Sequence, residues 1–72
     1  MNNIERLVKG DTVTIPSNTG KTRFRVRLTA TPMFYHFNGE SYAGFLAQRT
    51  RPSGSSYGDE HGYLVRANLV SR

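Results

Sequence analysis

Apolar and polar residues alternate with a period of two through most of this chain. In Lys21-Thr22-Arg23-Phe24-Arg25-Val26-Arg27-Leu28-Thr29 the apolar side chains fall at 24, 26 and 28 and the cations at 21, 23, 25 and 27. Successive side chains of a strand point to opposite faces, so the segment predicts a strand with one apolar and one cationic side. A helix would scatter the same cations and form no apolar stripe. Asp11-Thr12-Val13-Thr14-Ile15 alternates likewise, opened by Gly10 and closed by the turn residues Pro16-Ser17-Asn18-Thr19-Gly20. A loop over 17–20 would set Val13 opposite Phe24 and Ile15 opposite Thr22. Outside, Thr14 would meet Arg23 and Thr12 would meet Arg25, so that apolar faces apolar across the pair.

Further on, Ala30-Thr31-Pro32-Met33-Phe34-Tyr35-His36-Phe37 runs into Asn38-Gly39. Pro32 donates no ladder hydrogen bond and marks an edge, bend or bulge. Asn-Gly tolerates the positive φ that both central residues of a type I′ turn require, so it predicts a tight hairpin. Its register would pair Phe37 with Glu40, Tyr35 with Tyr42 and Phe34 with Ala43, with a returning strand over 41–49. Residues 50–62 carry three Gly, three Ser and a Pro, and read as a flexible loop. A last strand is expected over 63–70, with Tyr63, Val65, Ala67 and Leu69 on one face. Ile4–Val8 fits either a strand or one helical turn.

Length changes what such strands can build. Seventy-two residues make one domain spanning 1–72 with a thin core, and without cysteine neither a disulfide nor a thiolate zinc site reinforces it. Apolar runs of two or three residues exclude a membrane-spanning helix, and no secretory leader is visible, so a cytoplasmic protein is expected. Four or five short antiparallel strands of this kind predict an all-β fold, a small barrel whose closure removes exposed edges.

The stretch Val8-Lys9-Gly10-Asp11-Thr12-Val13-Thr14-Ile15, the turn after it and Phe24-Arg25-Val26 resemble the opening of SH3-like small barrels of the KOW and Tudor type. There a Gly-Asp pair precedes the first strand and the chain folds back at once. The final Val65–Leu69 is similar to their short closing strand. At position 22 Thr stands where the KOW pattern has its second glycine. The resemblance implies an SH3-like barrel of about five strands and a nucleic-acid-binding or accessory role, of the kind encoded by phages.

Charge brings in the chemistry. Ten Lys and Arg stand against five Asp and Glu, for a net charge of +5, and eight of the ten cations are Arg. Arg23, Arg25 and Arg27 would lie along one strand face, ~6.7 Å from one to the next, with Lys21 extending the row. Such a row suits an anionic partner, nucleic acid first, because Arg forks bind phosphate bidentately. Arg49, Arg51 and Arg66 would widen the field, and Tyr35 and Tyr42 would stack bases. The alternative is a protein-interaction module: Tyr35, Phe37 and Tyr42 would share an exposed face able to receive a partner chain or a second copy.

Catalysis has no identifiable apparatus. Gly20-Lys21-Thr22 lacks the glycine five residues earlier that a phosphate loop needs, since position 15 is Ile. His36, His61 and the run Asp59-Glu60-His61 sit in no rigid support that would make a metal or acid–base site. The expected function is therefore non-catalytic binding, with no cofactor and no metal.

Overall fold

The structure, a computed structural model, describes residues 6–72. Part of the Ile4–Val8 segment lies outside them. The protein is all-β. Five strands, β1 (Thr12–Pro16), β2 (Arg23–Leu28), β3 (Met33–Phe37), β4 (Glu40–Thr50) and β5 (Ser56–Arg66), form one antiparallel sheet, followed by a 3₁₀ turn at Ala67–Leu69. The eleven-residue β4 is its spine. One edge of β4 carries β3 along its first half and β2 near its end, and the other edge carries β5. A register shift between Ala47 and Arg49 bends the β4–β5 ladder. Beyond the 3₁₀ turn the chain returns to β1, where Thr14 and Ser71 exchange hydrogen bonds of 2.6 and 3.0 Å. The sheet thus curls around one core of Leu7, Val13, Ile15, Val26, Leu28, Ala43, Phe45, Ala47 and Val70.

The two-residue hairpin forms in the expected register, Phe37↔Glu40, Tyr35↔Tyr42 and Phe34↔Ala43. Asn38 (φ 52°) and Gly39 (φ 78°) both take the left-handed conformation of a type I′ turn. The first hairpin differs from expectation by two residues. Val13 pairs with Val26, Ile15 with Phe24 and Thr14 with Arg25. A shift of two keeps every side chain on its face, so the period-two pattern could not have told the registers apart. Proline decides between them. The loop closes on Ser17 N–H donating to the Thr22 carbonyl at 2.8 Å. In the expected register Pro16 would have to close it, without an N–H to give.

The segment 50–62 is a loop only at its start. A tight turn at 51–55, with Arg51 N–H on the Ser55 carbonyl and Gly54 N–H on the Arg51 carbonyl at 2.8 Å each, leads directly into β5. Glycine and serine composition misled here, because β5 pairs along β4 in spite of it. At the other end β5 stops at Arg66. Tyr63, Val65 and Ala67 pack on the core as expected, whereas Leu69 is exposed in the 3₁₀ turn and Val70 takes the buried place.

Candidate functional site

Two surfaces follow from this topology. The first is the row of arginines on β2, whose members share a face but not their surroundings. Arg23 Nη2 reaches the Leu69 carbonyl (2.9 Å), Ser71 Oγ (3.0 Å) and the Thr14 carbonyl (3.2 Å), fastening the returning C-terminal segment to the sheet. Arg27 is half-buried and donates to the Gly54 carbonyl at 2.6 Å, holding the 51–55 turn. Of the three only Arg25 keeps its guanidinium without a partner among the described residues, and Lys21 is exposed beside the loop. The expectation that all three project together into water is corrected for Arg27, which is half-buried; Arg23 and Arg25 are exposed on the same face, Arg23 with one guanidinium nitrogen engaged by the chain itself. Backbone carbonyls compete for guanidinium donors, and the alternation of a single strand does not reveal which carbonyls the fold will bring near.

The remaining cations expected to widen the field are dispersed. Arg49 pairs with Val26 and so stands on the inner face, its guanidinium 4.2 Å over the Phe24 ring. It shares a cleft with Asn18, His61 and Tyr63, away from the Arg25 side of β2. Arg51 lies 4.7 Å over the Tyr57 ring at the far turn. Arg66 pairs with Glu40 at 3.4 Å, and Arg72 with Asp11 at 3.0 Å. The Asp11 carboxylate also accepts from Val8 N–H, so this pair staples the segment before β1 to the chain end.

The second surface is the outer face of β3, β4 and β5. In an antiparallel pair, directly opposed residues share a face. Met33, Tyr35 and Phe37 of β3, Tyr42 and Leu46 of β4 and Leu64 of β5 therefore come together, and they line one open trough. Tyr42, expected to stack, is half-buried and donates to Glu40 Oε2 at 2.7 Å. Its neighbours are open to solvent: Phe37 is 67%, Leu64 68%, Met33 62%, Tyr35 45% and Leu46 44% exposed. The trough widens at Gly44, which sits between Met33 and Leu64 in the ladder and presents no side chain. Tyr35 fills that space, with its hydroxyl 3.7 Å from Met33 Sδ.

Neither a family model, a curated protein nor a solved structure matches the chain. The site must be read from its own chemistry. Leu46 and Leu64 were absent from the sequence-based site. Their signal was present in β4 and β5, where two apolar residues follow one another at Phe45-Leu46 and at Leu64-Val65. One member of each pair must face away from the core.

Among the described residues the histidines form no metal-binding cluster with the acids. His36 Nδ1 lies 3.0 Å from Ser41 Oγ, and His61 stands edge-on to Tyr63 at 6.4 Å. Glu60 accepts from Thr29 Oγ1. Among the described residues no three His, Asp or Glu side chains gather as a metal-binding group, and no helix is long and apolar enough to cross a membrane.

Proposed function

We propose that this domain is a non-catalytic protein-docking module whose working surface is the outer face of β3, β4 and β5. One observation carries the reading: Met33, Tyr35, Phe37, Leu46 and Leu64 stand exposed along one trough of the sheet. A 72-residue chain has little apolar side chain to spare, and leaving five such groups in contiguous contact with water costs solubility unless a partner covers them. Aromatic and Met side chains are also the types enriched where proteins meet. An SH3-like relationship belongs to the same proposal, supported by the curled five-stranded sheet and the chain end returned to β1.

The anionic-partner reading retains the net charge of +5 and the exposed Arg25, which has no partner among the described residues, in its favour. It is weakened along the arginine row, since Arg27 is half-buried on the Gly54 carbonyl and Arg23, though exposed, has its Nη2 engaged by the Thr14 and Leu69 carbonyls and the Ser71 hydroxyl. Capture from nuclease-treated extract of the source cell, using the wild type and a Phe37→Ser/Leu64→Ser double variant as bait, tests the choice. A protein held by the first and lost by the second is expected. Equal capture by both, or retention of nucleic acid alone with an affinity that falls steeply with salt, would overturn the docking reading.

A further inference from the structure

Two strand edges of this sheet have no neighbour among the described residues: the far side of β3 and the far side of β5. They are not equivalent. β5 carries Asp59, Glu60 and Arg66, charges of the kind that guard an edge against another chain. β3 carries none, and no Asp, Glu, Lys or Arg occurs anywhere from Leu28 to Gly39. A chain of net charge +5 can therefore bring this stretch against its own copy without setting like charges opposite one another.

The hydrogen-bonding groups of that edge are fixed by the hairpin. Next to a two-residue turn, the flanking pair Phe37–Glu40 exchanges both backbone hydrogen bonds, and exchange then recurs at every second pair. The N–H and C=O of Phe34 and His36 consequently point away from β4. Pro32, next in that series, has no N–H and ends the ladder. An antiparallel copy centred on Tyr35 pairs Phe34 with His36 of the second copy and His36 with its Phe34, so all four outward groups on each edge are satisfied. The same register lays Met33 against Phe37 of the copy, a thioether on an aromatic ring, and sets the two Tyr35 side chains directly opposite.

Resting on the docking reading above, we propose that β3 pairs with β3 of a second copy about a two-fold axis through Tyr35. Met33, Tyr35 and Phe37 would bury on the order of 300 Å² of side-chain surface per copy, against ~800 Å² for a standard interface. The pairing is accordingly weak and reversible, populated at high local concentration.

Sedimentation equilibrium of the full chain up to millimolar concentration tests this. The wild type should shift toward twice the monomer mass. Tyr35→Lys and Tyr35→Glu should each remain monomeric, because like charges then meet on the axis, and an equimolar mixture of the two should recover the dimer. Tyr35 lies outside the buried core, so both variants should keep a cooperative melting transition and wild-type amide chemical-shift dispersion, which separates lost pairing from lost folding. A wild type that stays monomeric, single variants that still dimerise, or a mixture that does not associate would each overturn the two-fold pairing. The docking reading is decided separately: a monomeric protein that still captures a partner through Phe37 and Leu64 loses only the self-pairing.

Discussion

The Tyr35 ring lies where a side chain on Gly44 would have to go: a Cβ built on Gly44 stands 2.9 Å from Tyr35 Cε2. The glycine therefore shapes the exposed face by its absence of side chain, letting an aromatic ring lie down across the sheet toward Leu64, whose Cδ1 is 3.7 Å from the same point. Gly44→Ala should lift the ring and break its contact with Met33 Sδ. The fold should survive within about 1 kcal/mol, since alanine recovers backbone entropy that glycine loses in a strand. Methyl and aromatic chemical shifts of Met33 and Tyr35 check this. Unchanged shifts would mean that the ring does not occupy that space.

Arg23 should matter to stability where Arg25 does not. Its guanidinium joins Thr14, Leu69 and Ser71, so Arg23→Ala should loosen the returning segment at a cost of about 1 kcal/mol, with faster amide exchange at Thr14 and Ser71. Arg25→Ala should stay within about 0.5 kcal/mol, as expected for a surface side chain with no partner among the described residues. Equal effects of the two would contradict the fastening role.

Inside, Val26 is fully buried between strands. Val26→Asp places a charge in a core with no polar partner and should cost more than ~3 kcal/mol, most of the stability of so small a domain. Loss of the cooperative melting transition is the expected result. Arg25→Glu, one residue away on the outer face, should melt like the wild type. The opposite outcome for the two variants would mean that β2 is turned inside out.

Much of this was legible in the chain. Alternation placed Val13, Ile15, Val26 and Leu28 inside, and Asn38-Gly39 fixed the second hairpin to the residue. What alternation could not resolve is any shift by two, which is why the first hairpin needed Pro16 and its missing N–H to set it. Nor does local composition reveal a long-range partner. The Gly- and Ser-rich run after Thr50 becomes a strand because the bent β4 offers it a ladder, and Arg23 and Arg27 find carbonyls because Leu69 and Gly54, distant in sequence, come within reach of them, although Arg23 stays exposed. The exposed aromatics of β3 were visible from facing alone. Leu46 and Leu64 joined them only once the sheet order was known.

Phe37→Ser/Leu64→Ser should fold as stably as the wild type, within about 0.5 kcal/mol, because both side chains are already mostly in water. Solubility should rise, measured as the highest concentration that stays clear of aggregate by light scattering. A large drop in melting temperature would show that the two residues serve the core instead.

The central claim is that the outer face of β3, β4 and β5 receives a protein chain. Amide spectra of the isotopically labelled domain, recorded with and without the chain it captures, test that claim most directly. Perturbations should concentrate at Met33–Phe37, Tyr42–Leu46 and Leu64. Perturbations confined to Lys21–Arg27, with β3 and the end of β5 unmoved, would contradict it.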